Sequence, residues 1–291
     1  MHIIKEGDIL FFLVFFMNYN DIKSFFVCLL FSSLIIGGCM AKPIVIAHRG
    51  NSSYAPENTL ASFNATWQVD SDAVELDIHL TSDNQIVVIH DEDTQRTSGQ
   101  KLIVAETTYA ELSKLDVGSF KAAYFKDERV PLLKDAIATV QKNKKLFIEI
   151  KCDKKIVPLL REVIKQSGKK AQITIIAFDL ETLAEAKKVM PDIPMCWLIS
   201  AEQNEKTKEY LPYDKSFIDL AVEKGIDGLD LDYGVLTQEY VHQVHKAGLS
   251  LYVWTVDNLQ DSGKMQNFQV DGITTNYPAD TMLYLKGLLK D

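Results

Sequence analysis

Eight short apolar runs, near Ile44, Val74, Leu146, Ile173, Met195, Gly228, Leu251 and Gly272, recur along the chain with amphipathic helical stretches between them, among these residues 132–142, 155–166, 180–190, 238–247 and 281–289. Strands that alternate with helices must pair in parallel through helical crossovers, and eight of them close into a ring. The expected fold is therefore α/β, a TIM (β/α)8 barrel, and 291 residues suffice for one such domain of about 250 residues. A ninth run, residues 86–89, does not fit the series. Only residues 80–85 separate it from the second strand, and a parallel crossover needs about a dozen residues or more. It must hairpin back through Asp83-Asn84 and open an insertion, residues about 80–130, over the C-terminal mouth of the barrel.

Barrel active sites assemble at C-terminal strand ends, and the charged residues concentrate there. His48-Arg49 follow the first run and Trp254 ends the seventh. Glu75 and Asp77 are two apart on the second strand, so both carboxylates point one way while Val74, Leu76 and Ile78 point the other. Glu149 and Lys151 share a face by the same rule, and His90-Asp91 end the hairpin run. Buried carboxylates need compensation, and a divalent cation is the economical partner for Glu75, Asp77 and Glu149. An all-oxygen donor set favours Mg²⁺ or Ca²⁺ over zinc, and no Cys/His cluster has zinc spacing. Breaking a phosphodiester requires positive charge for the non-bridging oxygens, a base for the nucleophile and an acid for the leaving oxygen. Two histidines, an arginine, a lysine and a held cation supply all three. The net charge of -9 argues against a nucleic-acid partner but permits a small anionic substrate held by local cations.

The chain resembles the glycerophosphodiester phosphodiesterases, of the bacterial lipoprotein type. The resemblance is carried by His48-Arg49-Gly50, Ala55-Pro56-Glu57-Asn58-Thr59, Glu75-Leu76-Asp77-Ile78-His79-Leu80-Thr81 with Asp83, and Val87-Val88-Ile89-His90-Asp91 followed by Arg96-Thr97-Ser98-Gly99. Further on it continues through Glu149-Ile150-Lys151, Trp254-Thr255-Val256 with Asn258, and Asp271-Gly272-Ile273-Thr274-Thr275-Asn276-Tyr277-Pro278. It implies one divalent cation on Glu75, Asp77 and Glu149, and hydrolysis of a glycerophosphodiester to sn-glycerol 3-phosphate and an alcohol. His48 and His90 would be the acid–base pair, working through a cyclic phosphate, with His48 the acid for the leaving alcohol and His90 the base. Arg49 and Lys151 would bind phosphate oxygens, and Trp254 would stack on the glycerol or floor the pocket. Related readings are cleavage of lysophospholipids or of teichoic acid; from a different class, a non-catalytic surface binding lipoprotein.

The remaining candidates carry less. Glu57 is a helix-start carboxylate or a group supporting the metal. Asn58 reads as a helix N-cap, and His79, beyond Glu75 and Asp77 on their face, as a supporting residue. Asp230 and Asp232 form a second same-face acidic pair, read as a hydrogen-bond network rather than a second metal site. Trp67 and Trp197 read as core, His242 and His245 as surface histidines, and Cys152 as a packing residue beside the site. No disulfide between Cys152 and Cys196 is assigned.

Residues 1–39 read as a lipoprotein signal ending in Leu34-Ile35-Ile36-Gly37-Gly38-Cys39, with Cys39 lipidated after cleavage. A start at Met17 puts Lys23 in the charged region of an ordinary signal, whereas a start at Met1 puts Glu6 and Asp8 there. The barrel domain, residues 40–291, would then be held at the bacterial cell envelope, facing the periplasm or the exterior.

Overall fold

The computed structural model describes residues 42–290. The signal, its lipidation at Cys39 and the start at Met17 lie outside the described residues. Nine strands follow in chain order: β1 (Ile44–Ala47), β2 (Ala73–Leu80), β3 (Ile86–Val88), β4 (Lys145–Ile150), β5 (Ile173–Ala177), β6 (Met195–Ile199), β7 (Gly228–Asp232), β8 (Ser250–Trp254) and β9 (Gly272–Thr275). All but β3 pair in parallel, in the order β1-β9-β8-β7-β6-β5-β4-β2, and the β1–β2 pairing closes the ring. The expected TIM barrel is the fold.

Among the described residues the ten α-helices are α1 (Leu60–Gln68), α2 (Gln95–Ser98), α3 (Tyr109–Leu112), α4 (Leu133–Thr139), α5 (Val157–Ser167), α6 (Leu180–Val189), α7 (Ser216–Glu223), α8 (Gln238–Lys246), α9 (Leu259–Phe268) and α10 (Pro278–Leu285). The last begins before the expected residue 281 and stops before 289. Pro278 opens it, because a proline in the first helical turn gives up no hydrogen bond.

Strand alternation divides the core in two. Val74, Leu76, Ile78, Ile148 and Ile150 pack outward against the helices. Ile46, Ala73, Phe147, Ile176, Cys196 and Leu198 plug the barrel interior, where the Phe147 and Tyr252 rings meet edge to face at 5.1 Å. Glu75, Asp77 and Glu149 point inward on the same strands as that plug, nearer the C-terminal ends.

β3 runs antiparallel to β2, with His79 opposite Val87. Asn84 makes the turn at φ 60°, a backbone region that Asn tolerates better than most residues. The Ile89 N–H still donates to Asp77 O at 3.0 Å, which ties the residue before His90 to the acidic strand. The insertion has its own small core of Val87, Ile89, Val104, Leu112, Leu115, Val117 and Val130, so it is a packed unit rather than a loose loop. Cys152 and Cys196 are both free thiols.

Candidate active site

The turn after β1 is built around its glycine. Gly50 sits at φ 81°, and a Cβ there would lie 2.4 Å from Ser62 Oγ, so no other residue fits without moving α1. Arg49 is also left-handed at φ 56°. That conformation lets its backbone N–H donate to Glu75 Oε2 at 2.9 Å while its guanidinium turns back over the barrel. Nη1 donates to Glu57 Oε1 at 2.9 Å, and Nε lies 3.4 Å from Asp77 Oδ2.

Glu75, Asp77 and Glu149 are all buried, each offering an oxygen within 4.8 Å of the others. They are the one such group of three or more acids, histidines or cysteines among the described residues. Glu75 Oε1 and Asp77 Oδ1 are buried without a hydrogen-bond donor. Burial, then the charges of Asp77 and Glu149, push the Glu75 carboxyl far above the usual range. Burial and the Asp77 charge push Glu149 up to about 7, against the pull of Lys151. Asp77 is equally buried, yet Arg49, His90, Lys151 and the Asn58 amide outweigh burial and hold it below its ordinary value. Three crowded acids, two of them pushed toward holding a proton and two of them with an oxygen left bare, fit a hard divalent cation.

Both histidines reach the same cavity, of about 160 Å³, whose other walls include Arg49, Glu75, Glu149, Lys151, Phe178 and Trp254. His48 Nδ1 is 2.8 Å from Asn276 Oδ1. Asn276 is itself fixed, its Nδ2 donating to Asp257 Oδ2 at 2.7 Å and its backbone N–H to Asp257 Oδ1. The amide oxygen can only accept, so His48 carries its proton on Nδ1 and keeps a lone pair on Nε2. Burial and then the Arg49 charge lower the His48 pKa.

His90 Nδ1 donates to Asp91 Oδ1 at 2.7 Å, and its Nε2 lies 3.1 Å from Lys151 Nζ. Lys151 also donates to Glu149 Oε1 at 2.8 Å. Arg96, from α2, ties the two halves of the site together. Its Nε donates to Asp91 Oδ2, and its Nη1 and Nη2 form a fork on Glu57 at 2.7 and 2.8 Å. An unbroken chain of charged hydrogen bonds thus runs Arg49, Glu57, Arg96, Asp91, His90. Burial alone would raise Asp91, but Arg96 and His90 bring it down to about 2.

The structure places the other candidates as follows. Glu57 bridges two arginines rather than starting a helix. Asn58 is not the N-cap: Thr59 caps α1, sharing a capping box with Ser62. Asn58 instead takes φ 57° and holds Asp77, donating Nδ2 to Oδ2 at 2.7 Å. His79 Nε2 donates to the His90 carbonyl at 3.1 Å. Trp254 meets Phe178 edge to face at 5.6 Å and donates Nε1 to the Asp230 carbonyl. Asp230 and Asp232 form no network with each other: Asp232 Oδ1 turns back to the Gly234 N–H, while Asp230 is buried and lines the cavity. His242 and His245 are exposed, His245 pairing with Asp271. Burial raises the Cys152 thiol to about 11, which leaves it unreactive at neutral pH. Sequence reasoning gave no role to Asp91, Arg96, Phe178, Asp257 or Asn276. For Asp91 and Asn276 a signal was available, since each is polar and lies next to a strand end or to a candidate histidine.

A barrel whose mouth combines two imidazoles, two cationic hydrogen-bond donors and an acidic trio able to hold a metal ion has the parts of a phosphoric ester hydrolase site. The profile of the glycerophosphoryl diester phosphodiesterase family matches residues 48–280, and the chain belongs to that family. It is 32% identical over 249 residues to a glycerophosphodiester phosphodiesterase of Caldanaerobacter subterraneus, covering 84% of this chain and 98% of that one. To a glycerophosphodiester phosphodiesterase of Bacillus subtilis it is 30% identical over 255 residues, covering 81% and 84%. Among solved structures, an Oleispira antarctica phosphodiesterase in complex with its product sn-glycerol-3-phosphate superposes with a TM-score of 0.77 at 27% identity, covering 84% of this chain and 97% of that one.

Proposed function

We propose that this chain hydrolyses small glycerophosphodiesters to sn-glycerol 3-phosphate and a free alcohol by two-histidine acid–base catalysis through a cyclic phosphate. The observation that carries the reading is the convergence of His48 and His90 on one cavity beside Glu75, Asp77 and Glu149. The product held by the Oleispira relative supports the substrate class. Mg²⁺ or Ca²⁺ held by Glu75, Asp77 and Glu149 would supply positive charge for the phosphate and acidify the neighbouring glycerol hydroxyl.

Arg49 and Lys151 bind the non-bridging oxygens, the arginine as a planar fork and the lysine as a point charge. In the first half, the glycerol hydroxyl oxygen next to the ester bonds to phosphorus as the bond to the alcohol oxygen breaks. One histidine takes the hydroxyl proton and the other protonates the departing alcohol. Water then adds to phosphorus, the ring P–O bond opens, and the histidines exchange roles. His48, kept neutral with its lone pair on Nε2, suits the base of the first half. His90, held at Nδ1 by the Asp91 carboxylate, takes the acid role with a proton on Nε2, which requires Lys151 Nζ, 3.1 Å from that nitrogen, to turn to the phosphate. This reverses the order expected from the sequence. The signal at Cys39 would place the reaction at the cell envelope.

The test is release of glycerol 3-phosphate from glycerophosphocholine and glycerophosphoethanolamine, with EDTA and then Mg²⁺ or Ca²⁺. Activity is expected to vanish with EDTA and return with one of the ions, and His48→Ala and His90→Ala are each expected to lose about 100-fold or more in kcat. Near-normal turnover by either variant would overturn the mechanism.

A further inference from the structure

The cavity is uneven. Its β1, β2 and β4 side carries the histidines, the acids, Arg49 and Lys151, whereas Ile176, Phe178, Leu198 and Trp254 make the facing side apolar. Within that apolar side stands one carboxyl, Asp230 of β7. It is 1% exposed, and its Oδ1 is buried with no hydrogen-bond partner. β7 is four strands from β2 in either direction round the ring, so Asp230 faces the acidic strand from across the barrel. It lies outside the group that can share an ion. A buried polar atom without a partner is costly, and natural cores keep few of them.

We infer that Asp230 hydrogen-bonds the terminal hydroxyl of the glycerol, the one remote from phosphorus, and so restricts the site to diesters whose glycerol carries no acyl chain there. The inference rests on the hydrolase reading above and deepens it. The attacking hydroxyl must lie with the histidines, and a three-carbon polyol directs its far hydroxyl away from phosphorus, toward the opposite wall. On that wall Asp230 is the side chain with a buried oxygen that lacks a hydrogen-bond partner. An acyl chain in the same place would leave the carboxyl buried against hydrocarbon, which disfavours lysophospholipids. Burial, reinforced by the charge of Glu149, pushes Asp230 up to about 8. At neutral pH it is mostly the neutral acid, able to donate as well as accept.

The experiment compares glycerophosphocholine with the propane-1,2-diol analogue, in which hydrogen replaces the terminal hydroxyl, in the Mg²⁺- or Ca²⁺-loaded enzyme. The wild type is expected to favour glycerophosphocholine in kcat/KM by on the order of 100-fold, as sites built to bond a hydroxyl do. Asp230→Leu should bring that ratio to within about threefold, while Asp230→Asn, which keeps a donor and an acceptor, should preserve most of it. Circular dichroism checks that the leucine variant folds, and if it does not, a ratio lowered in Asp230→Ala serves instead. Calorimetric binding of sn-glycerol 3-phosphate against propane-1,2-diol 1-phosphate reads the same discrimination without turnover. If the wild type hydrolyses neither diester, the hydrolase reading fails and the binding ratio alone decides the role of Asp230. A ratio unchanged in the leucine variant, or wild-type hydrolysis of lysophosphatidylcholine as fast as of glycerophosphocholine, overturns the inference.

Discussion

Replacing Glu149 by Gln in the cation-free protein isolates the electrostatic cost of the acidic trio. The Glu149 carboxyl has a folded pKa of about 7 against an ordinary 4.5, first because it is buried and second because Asp77 is charged beside it. The folded state therefore binds this proton more tightly than the unfolded chain does. Its contribution is fully present below pH 4.5 and is lost as pH rises to about 7, after which the loss is constant. At about 1.4 kcal/mol for each pKa unit, the loss is about 3.5 kcal/mol in full, of which about 2.5 kcal/mol falls between pH 5 and pH 8. Glutamine has no proton to lose. The variant should therefore gain about 2.5 kcal/mol relative to wild type between those pH values, or roughly 5–10 °C in melting temperature for a domain of this size. His48 and His79, whose pKa values burial lowers, slope the other way below their ordinary range. Because they occur in both proteins, the difference between the two melting curves cancels them. Scanning calorimetry in EDTA at pH 5, 6.5 and 8 is the assay. A difference between variant and wild type that does not change with pH would refute the argument that this acid is held protonated by its surroundings.

Two further substitutions probe the supports of the histidines. Arg96→Met should lower kcat about 10–100-fold by releasing both Asp91 and Glu57, while costing no more than about 1 kcal/mol of stability, since exposed charges are screened. The Arg96 side chain is 44% exposed, and Arg96→Lys should recover only part of the activity because lysine cannot form the fork on Glu57. Kinetics and thermal melts of both variants check this; equal activity in the lysine and wild-type enzymes would show that the fork is not needed. Asn276→Ala should reduce kcat about 10–100-fold with little change in KM, because His48 keeps its place but loses the acceptor that fixes its tautomer. Steady-state kinetics decide it, and a loss confined to KM would assign Asn276 to binding instead.

The barrel was legible in the sequence because its strands are buried on both faces and read as continuous apolar runs. The hairpin of β2 and β3 was legible because the chain between them is too short for any parallel crossover. The inward acids followed from the two-residue period of a strand, which the pairing of Asp77 with Glu149 across β2 and β4 reproduces. What alternation supplies is the face on which a side chain lies. It does not supply the direction in which a carboxylate turns at the end of a strand, and there the reading of Asp230 and Asp232 failed. Both leave β7 on one face, but Asp232 is followed by a tight turn whose free N–H at Gly234 captures it. Asp230, two residues deeper, has no such neighbour.

The same limit explains Asn58. Asparagine is among the favoured N-cap residues, and its sequence neighbours give no sign of a more distant partner. The decision is made nineteen residues away by Asp77, whose buried charge takes the amide at 2.7 Å and leaves Thr59 to cap the helix. His48 depends on a partner still more distant, Asn276, 228 residues along the chain yet adjacent once β1 pairs with β9. Catalytic groups in a closed barrel come from separate strands and are read one at a time, whereas the groups that orient them are fixed by ring closure. The order of dependence is physical: closure brings Asn276 to His48 and Asp257 to Asn276, and only then does the imidazole have a defined tautomer. A variant that loosened the β1–β9 seam would therefore impair proton transfer at His48 before it disturbed the acids on β2 and β4, which are paired with each other on the far side of β1 from that seam.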